Sequence, residues 1–196
     1  MRLLRASSVR WPRRLPARVW VHGGGSIWLG SNIVFDTSIA PIELHVEPTA
    51  EIVLGDGVYI AGGTSIEAQR SICIGARTRI GAFSKLLDGH YHVLEGNRHE
   101  RPPASTVVVE EDVDVGPRCV LLPHAHVGCG SSVLAGTVVS RRFPPRVVLG
   151  GIPAAVRGQT RSDGEGNEPL AAPSPRQLRI ESTLERFFGL LTGGMW

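Results

Sequence analysis

Lysine is almost missing from this chain: Lys85 is the only one, and every other basic side chain except histidine is an arginine. Aromatics make up 6% of the 196 residues, while glycine (24) and proline (14) are plentiful. That balance predicts many short strands punctuated by turns rather than long helices. No apolar run approaches the ~18 residues that a membrane-crossing helix needs, so none is predicted. Cysteines without metal-ligand spacing (Cys73, Cys119, Cys129) point to reduced thiols and a cytoplasmic location. Acids are absent from the opening "MRLLRASSVRWPRRLPARVW", but no apolar core or small-residue cleavage site accompanies its arginines. A secretory signal is therefore not expected, although organelle transit peptides share this composition. The net charge of +3 is small and scattered, which argues against a nucleic-acid partner. Arginine is also the better fork for phosphate.

What is present is a repeat. From Val109 an aliphatic residue recurs at every sixth position: Val109, Val115, Leu121, Val127, Val133, Val139. Four residues after each of the first five come Val113, Cys119, Ala125, Ser131 and Thr137, all small or β-branched. Upstream, Leu54, Ile60, Ile66 and Ile72 form one ladder, and Ile74, Ile80 and Leu86 form another shifted by two, with Arg70 marking the slip. Thr64, Thr78 and Ser84 fill the small positions there, and "LGSNIV" from Leu29 begins a less regular copy. A period of six fits neither an amphipathic helix nor a simple alternating strand. It fits a solenoid in which each hexad is one flat strand plus a corner and three hexads close a triangular coil. Such a coil buries its aliphatic face only by stacking on neighbours.

These hexads resemble those of the hexapeptide-repeat acyltransferases, the maltose/galactoside and colanic-acid type of O-acetyltransferase in particular. The resemblance covers roughly residues 25–157. It rests on "LLDGHYHVLEG", on "VEEDVDVGPRCVLLPHAHVGCGSSVLAGTVVSRRFPP" and on "VVLGGIPAAVRG". It implies an all-β fold, a left-handed parallel β-helix with a protruding loop, where spacing alone is silent on handedness. It also implies acetyl-CoA as co-substrate, no metal, a hydroxyl of a sugar, glycan precursor or natural product as acceptor, and a homotrimer with sites between subunits.

Within that resemblance the ladder stops after Leu86 and resumes at Val109, leaving a polar loop over 88–106. Long excursions from a rigid scaffold tend to carry function. The family's catalytic histidine follows an aromatic residue, here Tyr91, so the match falls on His92, with His90 in place of the family's middle aspartate. A neutral imidazole taking the acceptor's proton is worth ~10²–10⁴ in rate. Asp88 matches the family's first acid, where it either fixes an imidazole tautomer or caps the strand. Tyr91, Arg98 and Arg101 are the candidates for contact with the acceptor. For the cofactor, Ala135 and Gly136 allow close approach of pantetheine to the backbone, and Arg141, Arg142 and Arg157 suit its phosphates.

The chain also departs from the family at Asp114, His124, Ile152 and Ala155. His124 and His126 share a strand face, which leaves open a zinc enzyme of the γ-carbonic-anhydrase kind. A non-catalytic β-helix scaffold is the third reading. At the ends, 1–24 reads as a basic arm and 158–177 as a flexible linker. Residues 178–196 read as an amphipathic helix with Leu184, Phe187, Phe188 and Leu191 on one side. That helix is expected to dock on protein, with interfacial membrane contact as the alternative.

Overall fold

The computed structural model describes residues 2–5, 18–90, 97 and 102–160. Packing divides the chain into Met1–Ser162 and Asp163–Trp196. The second unit, and with it the helix predicted over 178–196, lies outside the described residues. Among the described residues all regular structure is β-strand.

The strands wind into a left-handed parallel β-helix with three flat faces. The first face stacks Val19–Gly23, Ile42–Val46, Ser65–Ala68, Lys85–Leu87, Val120–Leu121 and Val138–Val139. The second stacks Ser26–Leu29, Glu51–Leu54, Ser71–Ile74, Thr106–Val109, His126–Val127 and Arg142–Phe143. The third stacks Val34–Asp36, Tyr59–Ala61, Arg79–Ile80, Asp114–Val115, Ser132–Val133 and Val147–Gly150. All these neighbours pair parallel, while Arg2–Arg5 and Ala155–Gln159 add antiparallel to opposite ends of the second and third sheets. The stack takes in Val19–Gly23, ahead of the point where the six-residue period becomes readable, because "VWVHG" alternates every second residue instead.

The six-residue ladders are the stacked columns of the interior. Leu44, Ile66, Leu86, Leu121 and Val139 pair in register up the first face. Leu29, Leu54, Ile74, Val109, Val127 and Phe143 do so up the second. Phe35, Ile60, Ile80, Val115, Val133 and Leu149 fill the third. Nearly all of these are buried, so each rung removes its neighbours' apolar face from water. The slip at Arg70 has a simple geometry: Ser71–Ile74 is long enough to turn two side chains inward, Ile72 and Ile74.

The small positions do more than fit the corners. Thr78, Ser84, Ser131 and Thr137 are buried, and their hydroxyls satisfy main-chain groups of the turns. Thr78 Oγ1 donates to the Glu110 carbonyl at 2.7 Å and accepts from the Val113 amide at 3.3 Å. Ser84 Oγ does the same for Gly116 and Cys119 one rung higher. Buried corner amides that would otherwise lack partners are thus paired between coils.

Candidate functional site

The loop leaves the prism at the edge between the first and second faces, after Lys85–Leu87 and before Thr106–Val109. Its two ends are clamped. Asp88 is fully buried, and its carboxylate accepts the amides of Gln69 (2.7 Å), Arg70 (2.8 Å) and Ser71 (2.6 Å) on the rung below. The Ser105 amide donates to the Asp88 carbonyl at 2.7 Å, and Ser105 Oγ accepts the His124 amide from the rung above. Gly89 passes so close to Gln69 that a Cβ there would lie 2.3 Å from its side-chain oxygen. Directly beyond, His90 is exposed. Tyr91, His92, Arg98 and Arg101 lie outside the described residues.

The other two histidines of this edge are not alike. His124 is exposed in a left-handed corner conformation, φ 71°. His126, on the second face, donates from Nε2 to Glu110 Oε1 at 2.7 Å, and its Nδ1 is buried without a partner among the described residues. The bond from His126, reinforced by the Cys129 amide on the other oxygen at 2.8 Å, holds the Glu110 carboxyl below the usual glutamate range. Among the described residues no three histidine, cysteine or acidic side chains converge as a metal set.

Ala135 and Gly136 stand at a different edge, between the third and first faces. With Phe83, Pro117 and Arg118 they line an open depression of about 440 Å³. The left-handed residue recurs up this edge as Gly63, Phe83, Arg118 and Gly136, with φ of 77°, 59°, 57° and 71°. Gly136 and Arg141, at the loop's edge, stand on opposite sides of the strand Val138–Val139 of the first face. The arginines expected at the phosphates lie in or beside the last strands, Arg142–Phe143 and Ala155–Gln159. Arg141 lies over the Phe143 ring at 5.1 Å and reaches the Ala154 carbonyl. Arg142 is exposed beside His126 in register. Arg157 donates to the Gly150 carbonyl at 3.1 Å on the antiparallel end strand.

No family model matches the chain. A tetrahydropyridine-dicarboxylate N-acetyltransferase of Staphylococcus aureus is 36% identical over 73 residues, 37% of this chain and 30% of that protein. The matched stretch spans under a third of that relative. Among solved structures, a hexapeptide-repeat acetyltransferase of Vibrio cholerae in complex with acetyl-CoA superposes with a TM-score of 0.60 at 26% identity, over 68% of this chain and 70% of its own. A galactoside acetyltransferase in complex with coenzyme A gives 0.58 at 19% identity, covering 67% and 66%. An N-acyltransferase of Bacillus cereus with dTDP and coenzyme A gives 0.63 at 15% identity, over 74% and 79%. The fold is that of the hexapeptide-repeat acyltransferases.

Within this hexapeptide-repeat fold, two residues of the Ala135–Gly136 depression escape a reading by motif. Phe83 and Arg118 are exposed corner residues that look like unremarked surface in the sequence. Their signal was positional: each occupies the third residue of a corner, one rung apart, in line with Gly63 and Gly136. Arg118 is the arginine that lines the depression with Ala135 and Gly136.

Proposed function

We propose that this chain is an acetyl-CoA-dependent O-acetyltransferase acting on a hydroxyl of a sugar, glycan precursor or natural product. The observation that carries the reading is the separation of two features between two edges of the prism. The loop root with Asp88 and His90 rises at one, and Ala135, Gly136 and Arg118 line a depression at another. A single copy keeps these parts a face apart, so a complete site needs the loop of one copy against the depression of the next. A homotrimer with three inter-subunit sites meets that need.

In such a site the His92 imidazole accepts the acceptor's hydroxyl proton as the oxygen attacks the thioester carbonyl. The C–S bond then breaks, and the proton passes to the departing thiolate. Asp88 acts as a positioning residue: with both oxygens committed to amides, it roots the loop that carries His90 and His92. Tyr91, Arg98 and Arg101 would contact the acceptor. Ala135 and Gly136 leave room for pantetheine against the backbone, with Arg118 beside them for phosphate and Arg141, Arg142 and Arg157 toward the far end. Resemblance to a Staphylococcus N-acetyltransferase favours one second reading, an amine acceptor attacked through the same base.

Calorimetric titration with acetyl-CoA tests the proposal. Saturable binding near one equivalent per chain supports it, and absence of binding at millimolar ligand overturns it. Competition between hydroxyl and amine acceptors then separates the two readings.

A further inference from the structure

A second depression, of about 340 Å³, lies on the second face beside the loop's edge. Ser26, Glu51 and Ser71 occupy the same register on three successive rungs, and Trp28, Thr49 and Arg70 complete its wall. Trp28 is half-buried and lines the depression. Ser71 Oγ donates to Glu51 Oε1 at 3.4 Å, a long bond that leaves the carboxylate able to accept more.

Arg70 is fixed by its backbone, through two main-chain bonds. Its amide goes to Asp88 at 2.8 Å and its carbonyl accepts the Glu51 amide at 3.0 Å. Among the described residues no acid pairs with its exposed guanidinium. Arg77, at another edge, is held by Glu111 at 3.0 Å and Asp112 at 2.6 Å. An unpaired guanidinium is a fork for carboxylate or phosphate. An aromatic face suits the C–H face of a pyranose, and Glu51 with Ser71 and Thr49 suits its hydroxyls.

Location ties this depression to the loop. The Asp88 carboxylate bonds both the Arg70 and Ser71 amides, so the wall of the depression and the root of the loop form one hydrogen-bonded unit. We propose that Trp28, Glu51 and Arg70 form a binding site for a pyranose bearing a carboxylate or phosphate, and that this anionic sugar is the acceptor. The second half of the proposal rests on the acyltransferase reading, whereas the site itself does not.

The test uses the full chain without CoA and ligand-observed saturation-transfer NMR. The probes are methyl β-D-glucuronide, glucose 6-phosphate and neutral methyl β-D-glucoside. At least one anionic probe binds, the glucoside binds roughly tenfold more weakly, and Arg70→Gln and Trp28→Leu each weaken the anionic probe by roughly tenfold. A preference between the two anionic probes tells carboxylate from phosphate. Should Trp28→Leu fail to fold, Arg70→Gln at an exposed position still decides the matter. Failure of both anionic probes, equal binding of the glucoside, or undiminished binding by Arg70→Gln overturns the site. A chain that binds acetyl-CoA but neither anionic sugar sinks this inference alone. One that binds the sugar but never acetyl-CoA sinks the transferase reading and leaves the site standing.

Discussion

Two edges of the same prism are built by opposite rules. Between the second and third faces every corner is alike. Asn32, Gly57, Arg77, Asp112, Gly130 and Arg146 all take φ of 57–69°. From Gly57 on, each donates its amide to a carbonyl of the coil below. Between the first and second faces the corners differ on every rung, from Pro48–Thr49 through Gln69–Arg70 to the loop over 88–106 and Pro123–His124. Yet the rungs flanking the loop still pair in register, Leu86 with Leu121 and Ile72 with Val107. The interior ladders hold the coils together, so one edge is free to diverge. Inserting chain there costs little, since loop-closure entropy grows only slowly with length.

The largest effect that follows is chemical. His92→Ala lowers acetyl transfer by ~10²–10⁴ at unchanged acetyl-CoA affinity, the cost of a general base. His90→Ala, one residue from the clamped root, lowers it by less than roughly tenfold. Steady-state turnover of both variants, with calorimetry for binding, checks this. Equal losses in the two would mean that the edge supplies a pair of bases rather than one.

Next comes the clamp itself. Asp88→Ala leaves three amides without their carboxylate, and destabilises the protein by about 3 kcal/mol, the range for orphaned buried donors. Asp88→Asn keeps the volume but turns an amide group toward donors, and falls between the two. Chemical denaturation reads the stability. A drop in kcat with an unaltered acetyl-CoA Kd would show that the damage stays at the loop's edge. At the depression between the third and first faces the ranking reverses: Gly136→Val, forced to φ 71°, costs about 1–2 kcal/mol and weakens acetyl-CoA instead of slowing the chemical step.

The parts of the prism were also unequally legible. Ladder residues face an interior that admits only aliphatics, so Leu54, Ile60 and Val115 announced the coil from spacing alone, and burial bears them out. Asp88 announced only an acid. Whether it caps or tunes an imidazole depends on the amides of Gln69, Arg70 and Ser71 facing it, a geometry that exists only once the slip at Arg70 is resolved into two inward isoleucines. Ala135 and Gly136 were readable as small residues. Arg118 was not, because a corner arginine in a left-handed turn has no local sequence signal.

The smallest expected effect sits just above the loop, where Glu110 joins the strand after it to His126. A carboxyl held below its ordinary 4.5 by the His126 bond stabilises the fold above that pH, and the contribution is lost as pH falls through the depressed folded value. Glu110→Gln removes that proton linkage. Its melting temperature is therefore lower than the natural chain's at pH 7, and the gap closes below pH 4.5 as the natural chain's own carboxylate takes up a proton. The gap is modest because the Glu110 side chain is 39% exposed and water screens the pair. Differential scanning calorimetry at pH 7 and below pH 4.5 measures it. A gap that stays constant with pH would mean that Glu110 matters through its bond to the Cys129 amide, which glutamine retains in part, and not through His126. That would leave His126, with its buried Nδ1, packed rather than paired, and the irregular edge would then owe its order to Asp88 and Ser105 alone.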